Sequence, residues 1–199
     1  MGNKILTPML YLASNSPRRS ELLTHIGVLF ERVKADIEEC IEEGELAEQY
    51  VQRLARQKAQ AGFLNSTQDK PTLGADTVVV INGYVLEKPR DKIHAREMML
   101  ELSGSTHQVF TAIALIYKEQ SKQIIVKTKV TFKVLTEKEI SDYWETGEPA
   151  DKAGGYGIQG IGGKFVTHIS GSYSAVVGLP LYETDMLIKE FLKESSHVG

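Results

Sequence analysis

The sequence predicts an α/β fold, a mixed β-sheet flanked by helices, and three observations lead there. Apolar, β-branched runs are interspersed with segments of helical periodicity along the whole chain. The two kinds of segment do not alternate strictly as βαβ units, which argues against a purely parallel, doubly wound sheet. The composition, 42% hydrophobic and 25% charged, is that of a globular chain able to bury a core. No low-complexity stretch, long linker or internal repeat interrupts residues 1–199, so a single domain is expected.

The elements follow in order. Met9 to Ala13 reads as a short strand, and Ser16 and Pro17 as the N-cap and first residue of a helix carrying Leu22, Leu23 and Ile26, ended by Gly27. Val28 to Val33 is a second strand, and the acidic run Asp36 to Glu45 a loop. Leu46, Tyr50, Val51, Leu54 and Ala61 recur at helical spacing in an amphipathic helix reaching about Asn65. Thr72 to Ile81 is a buried central strand that turns at Asn82-Gly83 and returns through Leu86. Asp91 caps a helix through Leu102, stopped by Ser103-Gly104. Gln108 to Tyr117 and Ile124 to Val134 are strands separated by the polar Lys118 to Lys122, and Thr136 with Glu139 forms a capping box for a helix ending at Gly147. After a glycine-rich loop from Gly154 to Gly163 come a strand, Lys164 to Ile169, and a last helix, Leu181 to Lys193, behind Pro180.

Composition also excludes function classes. A net charge of −3 gives no electrostatic driver for binding a nucleic-acid polymer. Apolar runs such as Ala112 to Tyr117 are far short of the roughly 18 residues that suggest a membrane span. Met1-Gly2-Asn3-Lys4 lacks an apolar region behind its lysine, and Leu6 stands where a myristoylation signal has Ser or Thr, so neither secretion nor lipid anchoring is expected. Cys40 stands alone and permits neither an intramolecular disulfide nor a Cys-based zinc site. A reducing cytoplasm fits this pattern.

Candidate functional residues are those that break local rules. Arg18 and Arg19 sit in the first turn of a helix, where the macrodipole is already positive. An anionic ligand held by their guanidiniums, the turn N–H groups and the hydroxyls of Ser14 and Ser16 would relieve the repulsion; two solvated arginines paired with Glu21 or another carboxylate are the alternative. Lys58 falls inside the apolar arc of its helix, as a partnered buried cation or as a snorkelling side chain. Asp76 interrupts the apolar run from Leu73 to Ile81 and reads as a general base or Mg²⁺ ligand, or else as a structural carboxylate satisfied by backbone N–H groups. Glu87-Lys88-Pro89-Arg90 brings further charge across the hairpin.

Gly155, Gly157 and Gly160 match G-x-G-x-x-G, but they run into Gly162-Gly163 and a strand, not a helix, which disfavours a dinucleotide fold. They do permit close approach of backbone to a ligand near Tyr156 and Gln159. His107 and His168 lack metal-ligand spacing, and Cys40 has no nearby basic partner.

Leu12-Ala13-Ser14-Asn15-Ser16-Pro17-Arg18-Arg19, Leu73-Gly74-Ala75-Asp76-Thr77, Glu87-Lys88-Pro89, Leu102-Ser103-Gly104-Ser105-Thr106-His107 and the run from Asp151 to Gly160 together resemble the Maf family of nucleoside triphosphate pyrophosphatases. The resemblance covers about residues 10–190. It implies a bilobed α/β fold around an elongated mixed sheet, similar in shape to the inosine triphosphate pyrophosphatases, and cleavage of a nucleoside triphosphate to monophosphate and pyrophosphate with Mg²⁺ or Mn²⁺. Residue by residue it implies a phosphate-binding set of Ser14, Arg18, Arg19, Lys58 and Lys88, with Asp76 as the proton acceptor for water. Glu38 is an added metal-ligand candidate from the acidic loop, beside Asp76. At Arg18, Thr77 and Gln159 the chain resembles the subgroup acting on dTTP and UTP, a house-cleaning activity on the nucleotide pool, and differs from the 7-methyl-GTP subgroup. Asn15 and Gly155 are small departures from the family pattern. A homodimer is common among relatives. The competing reading is a nucleotide-binding regulator of septum formation without turnover.

Overall fold

The computed structural model describes residues 9–195, so the reading of Met1 to Leu6 lies outside it. Among the described residues seven strands and six α-helices follow the order β1 (Leu10–Ala13), α1 (Pro17–His25), β2 (Phe30–Arg32), α2 (Ala47–Leu64), β3 (Thr72–Ile81), β4 (Tyr84–Leu86), α3 (Lys92–Leu102), β5 (Thr106–Tyr117), β6 (Gln120–Phe132), α4 (Glu137–Glu145), β7 (Val166–Ser170), α5 (Tyr173–Val177) and α6 (Leu181–Ser195). Among the described residues no helix is long and apolar enough to cross a membrane.

All seven strands join one mixed sheet in the order β2-β1-β3-β5-β6-β7, with β4 added to β3. β1 is parallel to β2 and β3, while β3, β5, β6 and β7 are successively antiparallel. One edge of β3 is engaged by β5 from Thr72 to Val80. The other is shared: Thr72 to Gly74 pair with β1, and Val79 to Ile81 pair with β4. Between them Ala75 to Val78 have no strand partner on that edge, and the sheet opens into a notch.

The core divides at the same place. On one face α2 lays Val51, Leu54, Ala55 and Ala59 over Val78, Val80, Phe110 and Ala112. On the other face two separate clusters form. Leu10, Leu12, Leu73, Leu22, Leu23, Leu187 and Phe191 unite β1 and β3 with α1 and α6. Val79, Ile81, Met98, Met99, Leu102, Ile140 and Phe165 unite the far half of β3 with α3 and α4. Two lobes on one continuous sheet are therefore a consequence of the two clusters on this face, divided near Thr77, while the cluster under α2 runs across both.

Gly74 lets α2 rest directly on β3. A Cβ there would come within 2.9 Å of the Ala59 Cα and closer still to backbone atoms of Ala55 and Ala59. Gly74→Ala is expected to cost about 1–3 kcal/mol through overpacking. At roughly 2–4 °C per kcal/mol, that is a fall of several degrees in Tm. An unchanged calorimetric transition would show that the helix yields freely.

Several boundaries differ from the sequence reading. The two long strands meet in a tight turn at Lys118 and Glu119, with Lys118 at φ 52°, so the polar Gln120 to Lys122 already belong to β6. Residues 154–163 are not a plain loop: 3-10 turns occupy Ala153–Gly155 and Ile161–Phe165, and Lys164 lies in the second of these. The short α5 was not anticipated; Ser172 caps it, accepting from Ala175 N–H at 3.2 Å. Ser16 stands at the N-cap of α1, but its side chain makes no cap bond. Asp91 and the Thr136–Glu139 box cap as expected.

Candidate active site

A cavity of about 790 Å³ opens at the notch in β3. The end of β1 and the first turn of α1 form one wall, the acidic loop and α2 another, and Glu87, Lys88 and the glycine-rich segment the third.

At its floor Asp76 projects from β3 toward α2. The Lys58 ammonium donates to Oδ1 of Asp76 at 2.6 Å and reaches Oε1 of Glu39 at 2.7 Å. Lys58 and Asp76 are both buried, so each needs the other. Loss of water pushes the Asp76 pKa above the ordinary carboxylate range, against the opposing pull of Lys58 and Arg19. Glu39 behaves oppositely: its partial burial would raise its pKa, but the hydrogen bond and charge of Lys58 prevail and lower it. Lys88 stands 3.7 Å from Oε2 of Glu39. Two carboxylates thus converge on one cation.

The wall from α1 is cationic. Arg19 donates through Nε to the Gly178 carbonyl at 2.9 Å, and its guanidinium reaches the hydroxyls of Thr77 and Ser14 at 3.3 and 3.5 Å. It is braced by neutral acceptors, with no carboxylate in contact among the described residues, and desolvation lowers its pKa despite the attraction of Asp76. Ser14 Oγ accepts from Ser16 N–H at 3.1 Å, which shapes the turn into α1. Thr77 faces away from Asp76, between the two cores, and shares a 3.0 Å hydrogen bond with Thr111. Arg18 points across the mouth, 3.8 Å from Asp151.

Gln159 is exposed on the third wall and lines the cavity. Tyr156, beneath it, is buried and shares a 2.8 Å hydrogen bond with Nε2 of His107. Burial lowers the His107 pKa to about 4, so this histidine is a neutral core residue, as its lack of metal spacing suggested.

The structure therefore brings Ser14, Arg18, Arg19, Lys58, Asp76, Thr77, Lys88 and Gln159 to one cavity. Glu38 is not among its lining residues; its carboxylate accepts instead from the Cys40 thiol at 3.6 Å. The neighbouring Glu39 faces Lys58. The negative charge of Glu38 holds the exposed Cys40 thiol above its usual pKa, consistent with a poor nucleophile. Sequence reasoning also missed the Gly178 carbonyl and Asp151. A backbone acceptor leaves no trace in composition, whereas Asp151 is a charged residue at the head of a quoted motif.

The residue set also bears on a metal. Among the described residues no three His, Cys, Asp or Glu side chains cluster as a ready-made cage. Asp76 and Glu39 nevertheless already share a cation, and Mg²⁺ is commonly held by one or two carboxylates with substrate phosphates completing its shell. The donor set fits such an ion.

Residues 9–191 match the family model described as Maf-like protein. The dTTP/UTP pyrophosphatase of Pseudoalteromonas atlantica is 61% identical over 183 residues, covering 90% of this chain and 95% of that protein. The dTTP/UTP pyrophosphatase of Shigella sonnei is 58% identical over 182 residues, 92% of each. Among solved structures, the Staphylococcus aureus Ham1 protein aligns over 79% of both chains at 15% identity with a TM-score of 0.46. With the notch, its buried Lys58–Asp76 pair and its arginine wall all falling inside the matched span, the chain belongs to the Maf family.

Proposed function

We propose that the protein is a dTTP/UTP pyrophosphatase, releasing monophosphate and pyrophosphate from the nucleoside triphosphate as a house-cleaning activity. The observation that carries this reading is a desolvated carboxylate, Asp76, in a cavity whose remaining walls supply Arg18, Arg19, Lys58 and Lys88. The names of its close relatives support the substrate class. The reading takes residues 1–199 as one domain working in the cytoplasm, where the solitary Cys40 would stay reduced, and as a homodimer like other family members.

In this mechanism Ser14, Arg18, Arg19, Lys58 and Lys88 hold and orient the triphosphate, and Lys58 also keeps Asp76 in place. Asp76 accepts a proton from water as the water oxygen bonds to the α-phosphorus. The bond from that phosphorus to the bridging oxygen breaks, and the electron pair leaves with pyrophosphate. Glu39, with Asp76 beside it, would hold a Mg²⁺ or Mn²⁺ ion. Such an ion, when bound, draws charge off the phosphates. The septum-regulator reading is not favoured, since a sensor without turnover has no use for a buried base.

A panel of nucleoside triphosphates assayed for product with Mg²⁺ or Mn²⁺ tests the proposal. Turnover of dTTP and UTP to monophosphate and pyrophosphate is expected, and orthophosphate with diphosphate would overturn it. Base choice falls to Gln159, assisted by Thr77 and Arg18. Uracil and thymine present two carbonyl acceptors around an N–H donor, which an amide can pair, while cytosine reverses two of these groups. Each unpaired group costs about 1–3 kcal/mol, or roughly tenfold to hundredfold discrimination against CTP. Gln159→Ala should narrow the UTP-to-CTP ratio of kcat/KM, chiefly by slowing UTP; an unchanged ratio would mean that Gln159 does not read the base.

A further inference from the structure

The segment that carries Gln159 is wrapped around a single carboxylate. Glu148 follows α4 at the start of a 3-10 turn, Glu148–Asp151, and lines the cavity from below. Its Oε1 accepts from the Tyr143 hydroxyl at 2.7 Å and from Gly162 N–H at 3.0 Å, and its Oε2 accepts from Ile161 N–H at 2.8 Å. The Tyr143 hydroxyl in turn accepts from Gly157 N–H at 3.0 Å. Residues on both sides of Gln159 therefore hang from one Glu148–Tyr143 pair.

The glycines make this wrapping possible. A Cβ on Gly160 would stand within 2.6 Å of the Glu148 carboxyl carbon, and one on Gly162 within 2.6 Å of the Tyr143 hydroxyl. Tyr143 is 1% exposed and packs edge-on against Phe165 in the core beneath α3 and α4. The loop is thus fixed to a rigid lobe although Gln159 itself is exposed. Partial burial alone would raise the Glu148 pKa, but the donated hydrogen bonds prevail and lower it.

All three groups that meet Glu148 are donors, so the position calls for an acceptor-only side chain with two oxygens. A carboxamide has one oxygen, and its NH₂ would face an O–H or N–H.

We propose that Glu148 is a positioning residue for base recognition, which acts through Tyr143 and the backbone of residues 157–162 to hold Gln159 where it meets the nucleobase. The inference rests on the assignment of Gln159 as the base-reading side chain. It extends specificity from that residue to the anchor beneath it.

Steady-state kinetics on UTP and CTP with Glu148→Gln, Glu148→Asp, Tyr143→Phe and Gln159→Ala, each checked by thermal melting, tests it. Glu148→Gln is expected to lower the UTP-to-CTP ratio of kcat/KM by about fivefold to tenfold, with the loss falling on the KM for UTP more than on kcat. Glu148→Asp, which keeps two acceptor oxygens, should restore part of the ratio, and Tyr143→Phe should move it in the same direction as Glu148→Gln. Should Glu148→Gln fail to fold, Tyr143→Phe decides. A ratio that changes in Gln159→Ala but not in the folded Glu148→Gln or Tyr143→Phe proteins overturns the positioning role and leaves the reading of Gln159 intact. A ratio unchanged in Gln159→Ala overturns both. Equal losses on UTP and CTP, without a KM component, would make Glu148 a structural residue only.

Discussion

Asp76→Asn should cut turnover by about a hundredfold or more in a protein that still folds. Asparagine keeps the size of the side chain and can still accept from Lys58, whose second partner, Glu39, is untouched. What disappears is the capacity to take a proton. The same geometry fixes the pH dependence. Burial raises the Asp76 pKa above the ordinary carboxylate value, so the base is protonated over a wider acidic range. The rate should rise with pH along a limb displaced upward from that of an exposed aspartate. The measurements are kcat against pH for wild type and residual kcat for the variant at its plateau. A folded Asp76→Asn protein with near-normal turnover would move the base elsewhere.

Lys58→Ala should show the second large effect, and its signature is a displacement in pH. Without the ammonium, Asp76 and Glu39 lose the cation they share, and desolvation of Asp76 is opposed only by the more distant Arg19. Its pKa then rises further, the ionised fraction of the base falls, and turnover at neutral pH should drop, by about a hundredfold where the base is largely lost. Part should return as pH rises through the new pKa. Stability moves the other way. A carboxyl whose folded pKa lies above its unfolded value binds more protons when folded, so stability declines as pH climbs from the unfolded to the folded pKa and is level above it. The Tm deficit of Lys58→Ala should therefore be smaller in mild acid than at pH 8. A deficit independent of pH, with no shift of the kinetic limb, would show that Lys58 does not control Asp76. Removing a partner from a buried pair costs about 3–5 kcal/mol when the remaining charge cannot adapt, and protonation of Asp76 is the adaptation that limits it. Lys88 and Arg18, with side chains 60% and 32% exposed, have water as a substitute, and their alanine variants should lose affinity for triphosphate more than stability.

Much of this site was legible because its residues contradict their surroundings. Asp76 in an apolar strand, Lys58 in an apolar helical arc and paired arginines at a helix start each violate a local rule, and the structure brings all of them to the same cavity. The choice between Glu38 and Glu39 was not legible. The acidic loop has no period by which one side chain can be assigned inward, and only the tertiary position of Lys58 selects Glu39. The same holds for the 3-10 turns around Gly154 and Gly162. Glycines announce freedom, but the path at Gly154 depends on the Glu87 carbonyl and Val79, and that at Gly162 on Glu148 and Tyr143, 14 residues and more before it in sequence. The long strands β3 and β5 and the helices capped by Asp91 and Thr136 were read nearly to their ends, because alternation and capping chemistry are local, whereas the polar start of β6 gave no such signal.

The shared edge of β3 also acts as a gauge. β1 and β4, which flank the notch, are fastened to one strand, and the four residues from Ala75 to Val78 separate their pairings. From Gly74 to Val79 is five rises of about 3.3 Å, roughly 16 Å, set by covalent geometry and not by how well the cores are packed. Mutations that loosen one lobe leave the span unchanged. An insertion of a single residue between Gly74 and Val79, by contrast, would widen it by one rise and exchange the faces of every side chain beyond it, so the length of this stretch is itself a dimension to which the ligand must conform.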